Sequence, residues 1–283
     1  MAEQGWTGWS TVPQAPVARR TLMFANDKSS GKTTVASAVI VSLLAQYPGL
    51  MQRVVVREYE RHPRLSTLFR PEDGILAVEH HDARNAEAFD RLREMQQDPN
   101  ATLWDDLLYR IGQGALMVDF GANMFAEICR ILDDEPRPIF PDGGEAIGVA
   151  VPVTTASDSV ESAISAAEAV LGWGPRCQLF LIEQEYLGRF GDAVPVWSAW
   201  KRDLLAREPQ RVQAVTIERL LVADIGGVVF QRIDRMVAEA NAALRTTQQG
   251  AAYIRAVRLA RAEIAWGART LEAVRPITDW FAG

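Results

Sequence analysis

The amino-acid sequence predicts an α/β protein: a mostly parallel, twisted β-sheet with helices on both faces and a helical C-terminal extension. Three observations predict it. Short apolar runs and amphipathic stretches alternate from Thr21 to Ile182, as a parallel sheet with crossover helices requires. A segment of small and polar residues, Asn26 to Gly31, separates the first strand run from the first helix. Past about residue 210 only helical periodicity is read.

The elements follow in order. Met1 to Ala18 mixes Gln, Gly, Ser and Pro with Trp6 and Trp9, and residues 1–19 read as a flexible arm. Thr21 to Ala25 is a buried strand run. Lys32 to Tyr47 is a helix whose Val35, Val39, Leu43 and Leu44 share a face, stopped by Pro48-Gly49. Arg53 to Tyr59 and Ile75 to Val78 are the next strands. Asn85 to Gln97 and Thr102 to Ile111 are helical, split by Asp98-Pro99-Asn100. Then come a strand at Ala115 to Val118, a helix at Phe125 to Leu132 and an apolar strand at Ile147 to Val153. A helix at Ser157 to Leu171, capped by Ser157 or Asp158, precedes a last strand at Gln178 to Ile182. Helices at Arg232 to Arg245 and Ala251 to Val274 end the chain. The division is an arm (1–19), an α/β domain (20–205) and a helical region packed on it (206–283).

Composition narrows the function classes. The 283 residues are 48% apolar, enough for a sizeable core, so global disorder is excluded. A formal net charge of -6 argues against coating nucleic acid, leaving only a local basic patch for DNA. Cys129 and Cys177 give neither a disulfide framework nor metal spacing, and His62, His80 and His81 are too scattered for zinc; the adjacent pair reads as surface histidines. Met1 to Arg20 has no basic-then-apolar leader, and no apolar run approaches the ~20 residues of a membrane helix, so the expected location is the cytoplasm.

The segment after the first strand carries the chemistry. Asn26-Asp27-Lys28-Ser29-Ser30-Gly31-Lys32-Thr33 follows the phosphate-binding pattern G-x-x-x-x-G-K-[ST], with Asn26 in place of the first glycine. Asn tolerates positive φ, so the tight turn is expected to survive. Gly31 lets the backbone approach a phosphate closely. Backbone N–H groups from Ser29 to Thr34 can point at phosphate oxygens, helped by the helix N-terminus. Lys32 supplies a charge for the outer phosphates, and the Thr33 hydroxyl suits magnesium. The alternative is a polar strand–helix turn without a ligand.

Ligands of such sheets lie beyond the C-terminal strand ends, where Glu58, Glu60 and Asp119 fall. Glu60 is the candidate for orienting an attacking water and Asp119 for holding the metal; the alternative is exposed loop carboxylates.

These residues resemble the deviant-Walker-A ATPases of the ParA/MinD group. The cradle there reads K-G-G-x-G-K-[ST], and the second strand ends in D-x-D, here Glu58-Tyr59-Glu60. The sequence is more closely similar to conjugal-transfer TraL and plasmid-stability ATPases. Asp119-Phe120-Gly121-Ala122-Asn123-Met124-Phe125 resembles their D-x-G-A-x-x-F segment, and Gln184-Glu185-Tyr186-Leu187-Gly188 their N-E-Y-F-G segment. The likeness covers about residues 20 to 200. It implies ATP and magnesium as ligands, a homodimer that can depend on nucleotide, and a partner in plasmid transfer, segregation or positioning. It also implies Gln184 near the adenine, through the donor–acceptor pair of its amide. The family's cross-dimer lysine has become Asp27, with Lys28 one place later, and both carboxylate arms of D-x-D are longer. Such departures imply slow hydrolysis or none.

The C-terminal half offers two further features. Ile254, Val257, Ile264, Ala268, Leu271 and Val274 recur at helical spacing among arginines. Glu263 and Glu272 break the basic face, so a helix packed on the sheet is expected rather than one lying on a membrane. Arg202, Arg207, Arg211 and Arg219 are balanced by Asp203, Glu208 and Glu218 and read as ordinary surface. The competing functions are therefore an ATP-dependent switch with weak ATPase activity and an inactive scaffold subunit of the same fold. A third reading, a kinase that transfers phosphate to a small acceptor, lacks support, since the sequence shows no arginine-rich lid segment near an acceptor site.

Overall fold

The computed structural model describes residues 20–26, 30–82, 101–122, 124–134, 146–191, 193–219, 232–246 and 251–283. The predicted arm, the predicted helix Asn85 to Gln97 and the loop residues Asp27, Lys28 and Ser29 lie outside the described residues.

Among the described residues seven strands form one sheet: β1 (Thr21–Phe24), β2 (Val55–Glu60), β3 (Ala77–Asp82), β4 (Leu116–Phe120), β5 (Ile147–Val153), β6 (Cys177–Gln184) and β7 (Val212–Ile217). Their order is β3-β2-β4-β1-β5-β6-β7, and every pair is parallel. Parallel strands are buried on both faces, which explains the unbroken apolar runs at Thr21–Phe24 and Ile147–Val153.

Eight helices longer than one turn flank the sheet among the described residues. They are α1 (Lys32–Gln46), α2 (Ala101–Gln113), α3 (Met124–Asp134), α4 (Ser157–Gly172), α5 (Pro195–Arg207), α6 (Ile233–Thr246), α7 (Ala251–Ala273) and α8 (Arg275–Ala282). Helices α2 to α5 bury Leu107, Phe125, Ala163 and Trp197 on one face. On the other, α1 packs with Ile233, Ile277 and Phe281 of the C-terminal helices over Leu22, Phe24, Phe180 and Val215.

Three differences from the sequence reading have physical causes. Residues past 206 are not helical only, because β7 extends the sheet; its edge position exposes Gln213, Ala214 and Thr216 and weakens the apolar signature. Helix α5 opens with Pro195 at its first turn and buries only Trp197 and Leu204, too few apolar positions for a clear period. Helix α4 has Ala156 at its N-cap with no side-chain cap, not Ser157 or Asp158. The C-terminal helices complete a core layer, since Val274, Ile277 and Phe281 are fully buried. At Gly148 a Cβ would run into the Trp280 ring, so α8 lies hard against β5.

Candidate functional site

Strand parity gathers the polar ends. Val56, Met117 and Ile182 face α1, so Glu58, Asp119 and Gln184, two residues on, face it too. In β2 and β4, Glu58 is the register partner of Asp119. The loop after β1 enters α1 at the same end, beside the central strands, where such sheets bind ligands.

Gly31 is the turn of that loop, with φ 79° and ψ 30°. Only glycine fits there: besides the left-handed backbone, a Cβ would stand 2.5 Å from Gln184 Nε2. Gln184 lies across the loop and its Nε2 donates to the Ser30 carbonyl. It is therefore a brace of the loop, which the adenine expectation did not include. Lys32 Nζ donates to the Asn26 carbonyl at 2.5 Å and is almost buried.

Asn26 does not use the positive φ expected of it: among the described non-glycine residues only Ala115 has positive φ. Its side chain does something else. Nδ2 donates to the Pro152 carbonyl at 2.8 Å and the Ser159 carbonyl at 3.3 Å, tying the loop to the end of β5 and the first turn of α4. Ser159 Oγ in turn accepts from Thr154 N at 3.1 Å. The Ser30 hydroxyl is buried with no partner among the described residues. Thr34 is half-buried in the first turn of α1.

Thr33 Oγ1 donates to Asp119 Oδ2 at 2.8 Å. The other carboxylate oxygen, Oδ1, is buried without a partner among the described residues. Burial pushes the Asp119 carboxyl up to about 7, against a pull down from the Thr33 hydroxyl and Lys32, with Glu58 and Glu60 adding to the push. Lys32, Glu58 and Glu60 thus all lie within electrostatic reach of Asp119. A threonine hydroxyl beside an unsatisfied carboxylate oxygen is a hard-oxygen donor set that fits magnesium. No group of three or more His, Cys, Asp or Glu able to hold a metal occurs among the described residues. A magnesium ion here would need phosphate and water oxygens as well, which is its usual habit.

The two arms of Glu58-Tyr59-Glu60 have parted. Glu58 is fully buried and accepts from Arg64 N (2.6 Å), Leu65 N (2.8 Å), Ser66 N (3.3 Å) and Ser66 Oγ (3.1 Å). It caps the single helical turn Leu65–Leu68, a role the sequence reading missed. Glu60 is half-exposed at the strand end, with its carboxylate over Gly121. Gly121 N donates to Tyr59 O at 2.6 Å, and no side chain fits that approach.

The remaining predicted features divide. His80 and His81 point to opposite faces: His80 Nε2 lies 3.0 Å from the Glu60 carbonyl oxygen, and His81 stacks on Tyr59 with ring centroids 4.7 Å apart. Both are half-buried rather than surface residues. Arg211 is turned inward to the carbonyls of Leu171 (3.1 Å) and Gly174 (2.7 Å). Past the end of β6 opens a cleft of about 250 Å³ lined by Glu185, Gly188, Arg189, Glu218, Arg219 and Arg269. No described helix is long and apolar enough to cross a membrane.

Compared with models of known protein families and with curated proteins, the sequence matches none.

Proposed function

We propose that this chain is a ParA/MinD-like nucleotide-binding protein that takes ATP with magnesium on the loop Asn26 to Thr34 and acts as a switch with slow or absent hydrolysis. One observation carries the proposal: Thr33 Oγ1 and Asp119 meet at 2.8 Å beside Gly31 and Lys32, with one buried carboxylate oxygen left unsatisfied. On this reading Lys32 leaves the Asn26 carbonyl for the outer phosphates. Thr33 and Asp119 hold magnesium, whose chemistry is to neutralise charge on the phosphates. The cleft beyond Gln184 takes the nucleoside, and Gln184 keeps the loop in place. Glu60 is the carboxylate left for orienting water, because Glu58 is occupied by three backbone N–H groups.

That commitment of Glu58 favours, as a second reading, a subunit that binds nucleotide without turning it over. Pairing of two copies and a partner in plasmid transfer, segregation or positioning belong to the same proposal and rest on the sequence resemblance alone; a cytoplasmic location is proposed with them, compatible with no described helix being long and apolar enough to cross a membrane.

Calorimetric titration with Mg·ATP tests binding, with Lys32→Ala as the comparison. Loss of one charged donor is expected to weaken binding about tenfold to a hundredfold. Equal affinity in both proteins, or no heat in either, sinks the proposal. Phosphate release then separates a slow ATPase from a non-hydrolysing subunit.

A further inference from the structure

Between β2 and β3 runs a segment hung from two points. At its start the buried carboxylate of Glu58 collects the N–H groups of Arg64, Leu65 and Ser66. At its end Asp73 meets Arg232, the residue before α6: Nη1 lies 2.5 Å from Asp73 Oδ1, a contact that is an ion pair rather than an aligned hydrogen bond. The Arg232 guanidinium also lies 4.8 Å above the Phe69 ring and donates to Asp234 through Nε at 3.0 Å and Nη2 at 2.5 Å. Asp73 is held in turn, its Oδ2 accepting from Arg70 N at 2.9 Å.

What lies between the two points cannot stand alone. A helix of one turn, here Leu65–Leu68, is far below the length at which a helix is stable in water. Its order comes from the Glu58 cap, from Leu65 and Phe69 in the core, and from the Arg232 clasp. A segment whose folding needs attachments at both ends transmits the loss of either one to the other. At the far end, Ile233 shares that core, and α6 lies so close to α7 that a Cβ on Gly267 would sit 2.8 Å from Val237.

We infer that residues 64–73 couple the Glu58 end of the candidate site to the C-terminal helices, so that a change at Glu58 is felt at Arg232 and the reverse. The coupling stands on this geometry; its use in regulating nucleotide binding rests on the function proposed above. Glu58 is the register neighbour of Asp119, so a dication on Asp119 acts on the carboxylate that caps the segment.

Amide hydrogen exchange on the full chain tests it without any ligand. Glu58→Gln removes the cap's charge, and Arg232→Met removes the guanidinium from Asp73, Asp234 and the Phe69 ring, leaving Asp73 only the weaker pair with Arg235 at 3.5 Å; Arg232→Lys is the milder variant should Arg232→Met misfold. Each is expected to speed exchange about tenfold or more both at residues 64–69 and in the first turns of α6. Acceleration confined to the mutated end in each variant overturns the coupling. Titration of the same proteins with Mg·ATP tells the two proposals apart. Weaker binding by Arg232→Met than by wild type supports regulation of the site from the C-terminal helices, and unchanged binding overturns that use. No heat from wild type counts against the nucleotide reading, while the exchange data still decide the coupling.

Discussion

Asp119→Asn separates the stability of the empty site from its proposed use. The Asp119 carboxyl is 1% exposed and pushed up to about 7 from an ordinary 3.8, by burial first and by Glu58 and Glu60 in addition. A group whose folded value lies above its unfolded one binds its proton more tightly in the native state. Its contribution is therefore full below about pH 4 and is lost as pH rises through about 7. Over that window the loss is at most about 4 kcal/mol, at 1.36 kcal/mol for each tenfold change in proton affinity. Asparagine keeps an oxygen for the Thr33 hydroxyl and removes the ionisation. In urea unfolding without magnesium, the variant is expected to gain on wild type between pH 5.5 and pH 8.5 by about 2 kcal/mol, the share of that loss that falls in this window. Taking the difference between the two proteins cancels the titrating groups that do not interact with Asp119. On the proposed function the order is expected to reverse with Mg·ATP present, since the variant would lack the charge offered to the metal. A wild-type-minus-variant difference that is flat across this pH range refutes the argument, because the carboxyl would then not be carrying a raised affinity for its proton.

Two other substitutions address positions where the structure departs from the sequence pattern or packs most tightly. Asn26→Gly restores the glycine of the phosphate-binding pattern, yet it strips the buried carbonyls of Pro152 and Ser159 of their donor. It is expected to lower stability by about 1–3 kcal/mol in urea unfolding; a neutral result would mean that the anchor contributes nothing. Gly148→Ala puts a methyl group into the Trp280 ring, and thermal unfolding is expected to show a loss of about 1–3 kcal/mol, with Trp280 fluorescence altered as α8 shifts. An unchanged melting curve would show that α8 is not seated on β5.

Much of the fold was legible because parallel strands and crossover helices impose their periods on the sequence. Ile147–Val153, buried on both faces, could be read to the residue. The edge strand β7 could not, since half of its side chains face solvent. In the site, Gly31, Lys32, Thr33 and Asp119 were legible as types at a fixed spacing. Their assembly follows from β1 and β4 being neighbours, which no local pattern states. The uses of Asn26, Glu58 and Gln184 were not legible. Each depends on a partner far along the chain or on a main-chain group: Pro152 for Asn26, the amides of Arg64, Leu65 and Ser66 for Glu58, and the Ser30 carbonyl for Gln184.

Those three residues share a logic that bears on activity. Each stands where the resembling family has a different residue, and each is spent on holding backbone. Asn26 fixes the loop's entry to β5 and α4, Gln184 fixes its crest, and Glu58 fixes the segment that follows β2. Asn26 and Ser30, on either side of the loop, are held this way before a ligand arrives, which lowers the entropy cost of binding. The same commitments remove side chains from chemistry: a carboxylate whose oxygens already accept three backbone N–H groups and a hydroxyl has little room left for a water, and an amide donating to the Ser30 carbonyl has one fewer bond for a base edge. Glu60 then stands alone as the carboxylate available to orient water, half-exposed and over Gly121. On the proposed function, tight binding with little turnover is what this distribution of roles favours. A Glu60→Gln variant that kept full phosphate release would place the water-orienting group elsewhere.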